Sequence, residues 1–175
     1  MSPVTEPSPR RLVLMRHARA GYADTTDFDR PLAESGTADA RETGRWLADL
    51  GITPQAALVS AAVRAAHTFV AVAAGAGWGL EPRLDRGLYL ADEQTALDLV
   101  RLAEPGVASL VVVGHNPTIA TLAHLLDDGE GDPMALVAMA GGFSPSSVAV
   151  FDVGVGWAEL DYGGARLTAY RSGPR

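Results

Sequence analysis

The sequence predicts an α/β fold, a three-layer α/β/α sandwich around a mostly parallel central sheet with minimal insertions. Three observations carry that expectation. Short apolar runs, Leu12-Val13-Leu14 and Leu110-Val111-Val112-Val113 among them, have the length and composition of buried strands. Longer segments with helical spacing alternate with them. Two of the strand-like runs lead directly into a histidine, His17 and His115, and in open α/β sheets ligands bind at the C-terminal edge of the strands.

The elements follow in order. Arg11 to Arg16 reads as the first strand, followed by a polar loop from Gly21 to Arg30. Pro31 to Ser35 leads into a helix ending near Leu50. Ala40, Gly44, Leu47 and Leu50 share one face of it, and Gly51 is a C-terminal stop. Ala56 to Ser60 is a short second strand. The alanine-rich stretch from Val63 to Ala74 is helical and closes in the glycines between Gly75 and Gly79. Glu81 to Leu84 is a further short strand, and Glu93 to Leu102 a helix with Asp92 as its N-cap. Ser109 to Gly114 is the second buried strand. Asn116 caps the helix that runs to Leu126, with Pro117 in its first turn. Asp127 to Asp132 is an acidic loop. The remainder reads as β-rich: Ser147 to Val153, Trp157 to Tyr162, and Leu167 to Tyr170.

Composition narrows the function classes. The 175 residues suit one domain, expected over 11–175, behind a disordered tail over 1–10 that is rich in proline and small polar residues. The net charge of −7 argues against a nucleic-acid partner, which needs a broad basic face. All 14 basic residues are arginine. The absence of cysteine removes thiolate catalysis and thiolate metal sites. No apolar stretch reaches the roughly 18 residues of a membrane span, and the opening residues lack the hydrophobic core of a secretory signal. A cytoplasmic protein with no membrane partner is expected.

The chemistry-bearing residues point to phosphoryl transfer through a histidine. A phosphoryl group spreads charge over three oxygens, and fixed cations with in-line geometry assist its transfer. Arginine suits that task because its planar fork stays charged and donates parallel hydrogen bonds. Arg16 and Arg64 are the candidate clamps. His17 is the candidate nucleophile, whose neutral ring nitrogen would attack phosphorus. His115 would hydrogen-bond a phosphoryl oxygen, most usefully as a cation. Asn116 and the helix it opens could add backbone donors. Arg19 and Arg30 either border the pocket or are solvated loop charges. His67 and His124 read as structural. The chemistry requires no cofactor and no metal, and two histidines without a matching third ligand make a poor metal site.

Several motifs together resemble the histidine phosphatase superfamily, the phosphoglycerate-mutase-like fold. Arg16-His17 after a strand is similar to its Arg-His signature. Arg30-Pro31-Leu32-Ala33-Glu34-Ser35-Gly36 is similar to its R-P-L-T-x-x-G lead into the first helix. Ser60 to Thr68 matches its S-x-x-x-R-A-x-x-T segment, and Gly114-His115-Asn116-Pro117 its second histidine motif. The β-rich end, with Phe151, Trp157, Leu160 and Leu167, resembles the short SixA-like phosphohistidine phosphatase branch. The resemblance implies catalysis by His17, Arg16, Arg64 and His115, with phosphate held by Arg16, Arg64, His115 and Asn116. It also implies a phosphorylated protein as partner, a phosphotransfer or histidine-kinase-related domain.

Larger members of that superfamily place a glutamate acid after the S-x-x-x-R-A-x-x-T segment. Here the region reads Leu88-Tyr89-Leu90-Ala91-Asp92-Glu93, so Asp92 and Glu93 are the only acid candidates, and Asp92 is better explained as a cap. An alkoxide leaving group needs a proton, whereas imidazole, with a pKa of roughly 6.5, departs readily. The sequence therefore favours hydrolysis of phosphohistidine on a protein. A small-molecule phosphomonoesterase using Asp92 or Glu93, and a non-catalytic phospho-ligand binding module, are the alternatives.

Overall fold

The computed structural model describes residues 8–175. Its strands are β1 (Arg10–Arg16), β2 (Ala56–Ser60), β3 (Arg83–Asp85), β4 (Ser109–Gly114), β5 (Val148–Val153) and β6 (Ala165–Arg171). They make one sheet in the order β3-β2-β4-β1-β5-β6. The first four run parallel, and β5 and β6 close the sheet as an antiparallel pair. The helices are α1 (Glu34–Asp49), α2 (Val63–Ala76), α3 (Arg86–Tyr89), α4 (Glu93–Arg101), α5 (Thr118–Leu126) and α6 (Pro133–Ala140).

Side chains alternate across the central strands, so each face carries its own core. Leu12 and Leu14 of β1 pack with Leu97, Ile119 and Leu122 of α4 and α5, and with Trp157. Val13 and Met15 pack on the opposite face with Leu47, Phe69 and Val72 of α1 and α2. The predicted three layers are thus present. The α1–α2 contact is tight because glycine sits where the backbones meet. A Cβ on Gly44 would lie 2.1 Å from the Val72 carbonyl oxygen, and one on Gly75 2.1 Å from that of Arg41.

The pairing of β1 with β4 builds the site. Arg16 lies opposite Gly114 in parallel register, so both chains leave the sheet at the same edge. The His17 amide donates to the Gly114 carbonyl at 2.9 Å, which keeps the two histidine-bearing turns together after the strands end.

Some expectations need correction. Of the tail expected over 1–10, residues 1–7 lie outside the described residues, while Arg10 already belongs to β1 and donates to the Val155 and Pro105 carbonyls. Trp157 to Tyr162 is not a strand. Trp157–Glu159 forms a 3₁₀ turn that turns the Trp157 ring inward, where its Nε1 donates to the Val107 carbonyl at 2.8 Å. Leu50 is 41% exposed rather than on the buried face of α1, because it is the C-cap that precedes the left-handed Gly51. Pro117, not Asn116, occupies the N-cap of α5, after a cis Asn116–Pro117 bond. Helices α3 and α6 fall outside the expected set. In α6 the apolar residues face both ways, with Ala135 and Met139 buried and Met134 and Val137 exposed, so no amphipathic pattern marks it. Its capping Asp132 before Pro133 is the signal that could have.

Candidate active site

At the C-terminal edge of the parallel strands the structure brings Arg16, His17, Arg64 and His115 together. The two imidazole centroids are 5.1 Å apart. Each residue has a structural reason for its place. His17 follows β1 in a turn pinned by Thr68 of α2, whose hydroxyl accepts the Ala18 amide at 2.9 Å and donates to the Arg64 carbonyl at 2.7 Å. Ser60 ends β2 and lies 2.7 Å from His115 Nε2. The three polar positions of the Ser60–Thr68 segment thus hold the second histidine, supply the buried arginine and fix the turn after the first histidine. The Arg30–Gly36 segment has a similar logic. The Gly21 amide donates to the Pro31 carbonyl, and the Ala33 amide to that of Arg19. A Cβ on Gly36 would lie 2.2 Å from the Arg19 carbonyl oxygen.

The tautomers follow from the partners. His17 Nδ1 is 2.7 Å from the Ala18 carbonyl, which only accepts, so the ring proton is on Nδ1 and Nε2 carries a lone pair. The Arg64 Nε points at that lone pair from 3.4 Å. Burial, reinforced by the charges of Arg64, Arg16 and Arg30 and opposed by the Ala18 hydrogen bond, pushes His17 down to about 4. In His115, Nδ1 faces Arg64 Nη2 at 3.4 Å, so its proton resides on Nε2 toward Ser60. Burial, then His17 and Arg64, push it down to about 3. Both rings are therefore neutral at physiological pH. For His115 the nearby Asp27 charge opposes burial and the neighbouring cations without overcoming them.

The arginines differ in what they leave free. Arg16 donates Nη1 to the Phe143 carbonyl at 3.0 Å, while its buried Nε has no hydrogen-bond partner among the described residues. Arg64 is 7% exposed and gives Nη1 to the Asp27 carbonyl at 2.6 Å and Nη2 to Asp27 Oδ2 at 3.1 Å. Asp27 also takes the Tyr89 hydroxyl on Oδ2 at 2.7 Å and Arg30 Nη1 on Oδ1 at 3.2 Å. The Tyr89 hydrogen bond first, then Arg64 and Arg30, hold its carboxyl down at about 2.

The other predicted positions fall differently. Arg30 joins the cluster through Asp27, whereas the Arg19 side chain is exposed and its role here is through its backbone carbonyl. The Asn116 side chain is engaged locally, with Nδ2 donating to the Phe143 carbonyl at 2.9 Å and Oδ1 accepting the Ala120 amide at 3.3 Å. Asp92 caps α4 by accepting the Thr95 amide at 2.8 Å, and that bond holds its carboxyl below the usual range. Glu93 opens the same helix, and the charges of both carboxylates bear on Tyr162. His67 and His124 are exposed. Among the described residues no group of three or more His, Asp or Glu is placed to hold a metal ion. Asp27, Tyr89 and the Phe143 carbonyl are the site groups that sequence reasoning missed. Asp27 sits three residues before the Arg-Pro-Leu segment, a fixed offset that is the one signal available for it.

A histidine pair flanked by Arg16 and Arg64 thus sits at the tip of β1 and β4, the arrangement that the histidine phosphatase motifs led one to expect. Residues 12–89 match the profile of the histidine phosphatase superfamily (branch 1). The chain is 31% identical over 132 residues to the phosphohistidine phosphatase SixA of Escherichia coli K12, covering 71% of this chain and 78% of that one. It is 34% identical over 158 residues to an uncharacterized protein of Mycobacterium tuberculosis H37Rv, across 89% and 98% of the two chains. A solved structure from Nakamurella multipartitia, provisionally named a phosphohistidine phosphatase SixA, superimposes with a TM-score of 0.84 at 29% identity, over 97% and 99% of the chains. The protein belongs to the histidine phosphatase superfamily and resembles its SixA-like members in fold.

Proposed function

We propose that this protein is a phosphatase that hydrolyses phosphohistidine on a partner protein, through a covalent phosphohistidine on His17 and without a metal ion. The chief support is the state of His17, a neutral ring whose Nε2 lone pair faces the Arg64 guanidinium. A nucleophile has to be unprotonated at the attacking atom, and its neighbour has to be a cation that cannot itself give up a proton.

The steps follow from that arrangement. The phosphoryl group is received by Arg16 and Arg64. A bound dianion raises the proton affinity of His115, which then donates from Nδ1 to a phosphoryl oxygen. As the bond from phosphorus to His17 Nε2 forms, the bond to the substrate nitrogen breaks, and its electron pair stays on the departing imidazole. The Ala18 carbonyl retains the Nδ1 proton throughout. Water then attacks phosphorus from the vacated side, the pair of the P–N bond returns to Nε2, and His17 leaves as neutral imidazole. Inorganic phosphate is the product.

The carboxylates favour this substrate over alkyl esters. Asp27 is ionised, and Asp92 is committed to a helix cap. Lost general-acid help costs about 10²–10⁴-fold, a penalty that falls on alkoxide leaving groups. The site is open at Asp27, whose side chain is 54% exposed, which suits a histidine presented on a protein surface. A phosphotransfer or histidine-kinase-related domain is the partner class we propose, and the cytoplasm the compartment.

The test is turnover of a phosphohistidine-bearing phosphotransfer protein and an aryl phosphate side by side, with His17→Ala as control and EDTA in a parallel set. Fast, chelator-resistant loss of phosphohistidine with slower aryl phosphate turnover is expected. Preference for phosphate esters would move the assignment to a small-molecule phosphomonoesterase. Phosphate binding without turnover of either would make the protein a binding module.

A further inference from the structure

Asp27 presents a half-exposed carboxylate at the edge of the site. One guanidinium separates its carboxylate from the nucleophile, since Arg64 places Nε on His17 Nε2 and Nη2 on Asp27 Oδ2. As an anion it shares the Arg64 donors with any phosphoryl group bound there. Beside it stands an aromatic wall. Phe28 and Tyr89 meet edge to face at 5.1 Å, and Tyr89 meets the His115 ring at 5.4 Å. The carboxylate has about four acceptor positions, of which Tyr89, Arg64 and Arg30 take three through side-chain bonds.

Building on the phosphohistidine reading, we propose that Asp27, held by Tyr89 and flanked by Phe28, receives the imidazole ring of the substrate. The remaining acceptor position takes the N–H of the ring nitrogen that does not carry phosphorus. In a phosphoryl imidazole protonated there the ring itself is positively charged beside the phosphoryl anion, and a carboxylate attracts that ring. The proton is the one that matters for chemistry. With it in place, cleavage of the P–N bond leaves the electron pair on the departing nitrogen and releases neutral imidazole, with no proton transferred during the step. Without it the leaving group is an imidazolate anion. Asp27 thus substitutes for a general acid by keeping a proton on the substrate. The same charge repels substrates that carry a carboxylate near their phosphate.

The experiment compares kcat/KM for phosphoimidazole and for a phosphohistidine-bearing phosphotransfer protein with kcat/KM for an aryl phosphate, whose phenolate departs without a proton. Wild type, Asp27→Asn and Tyr89→Phe are measured, each checked for fold by circular dichroism. Asp27→Asn is expected to lower the ratio of the two constants by about ten- to hundredfold, the loss of a hydrogen bond to a charged group. The alkaline limb of its phosphoimidazole profile should move to lower pH, because the ring proton is no longer held. Tyr89→Phe should move both in the same direction by less. A fall of the ratio smaller than about tenfold in Asp27→Asn overturns the inference and leaves Asp27 as a residue that only orients Arg64. Wild-type turnover of phosphohistidine with that result overturns the subsite alone. A wild type that turns over the aryl phosphate and not phosphohistidine overturns the proposed function and the subsite together.

Discussion

The Nε of Arg64 stands 3.4 Å from the Nε2 of His17, so the cation proposed to receive a phosphoryl oxygen also faces the atom proposed to attack phosphorus. A guanidinium is suited to both duties. It cannot surrender a proton to the imidazole, and its charge helps keep that imidazole unprotonated. Arg64→Lys retains the charge and loses the planar fork. It should lower kcat by about 10²–10³-fold, as loss of an aligned donor does, with the fold intact by circular dichroism.

His17→Ala should abolish turnover and leave inorganic phosphate binding in place, because Arg16, Arg64 and His115 are untouched. Isothermal titration with phosphate beside a turnover assay checks both halves. Retained turnover would remove His17 from the chemistry.

The two neutral imidazoles make stability depend on pH. His17 lies at about 4 and His115 at about 3, both below the 6.5 of an unfolded histidine. Between those limits the unfolded chain binds more protons than the folded one, so stability falls with falling pH. The contribution is fully present above pH 6.5 and is lost as pH drops through about 4 and then about 3. Urea denaturation from pH 7.5 to 4.5 (roughly the span in which an ordinary histidine titrates) should show this decline. His115→Gln should flatten it.

Asp92→Ala separates a helix cap from an acid. The carboxylate accepts the Thr95 amide at the start of α4, so its loss should lower the denaturation midpoint while phosphohistidine turnover stays at the wild-type level. Reduced turnover in a protein still folded would restore Asp92 as a proton donor.

Gly44→Ala tests the α1–α2 contact. The added methyl would meet the Val72 carbonyl at 2.1 Å, a backbone atom that moves only with its helix. Overpacking of this kind costs about 1–3 kcal/mol, read as a shift in the urea midpoint.

Much of the sheet and of the site's inner half was legible in the sequence, for physical reasons. Val13, Val111 and Val113 are fully buried strand residues on one face, and runs of that kind have few other homes. The register of β1 on β4 then brings His17 and His115 together without further information. Arg64 was legible because its segment also carries Ser60 and Thr68, whose hydroxyls do the positioning. The outer half was not. Arg16 and Asn116 both donate to the Phe143 carbonyl, a backbone group with no side-chain signature. Asp27 shares its loop with Asp24 and Asp29, and loop residues have no periodicity to mark which one turns inward. Trp157 lies in a segment whose β-rich surroundings suggest a strand, whereas it sits in a 3₁₀ turn from which its ring donates to the Val107 carbonyl.

The most direct measurement is the site of phosphorylation during turnover. The enzyme is mixed with phosphohistidine substrate, quenched in alkali to preserve phosphoramidates, digested, and analysed by mass spectrometry. One phosphoryl group is expected on the peptide containing His17, attached at Nε2 and absent in His17→Ala. Turnover with no covalent phosphoenzyme, or phosphate on His115 instead, would contradict it.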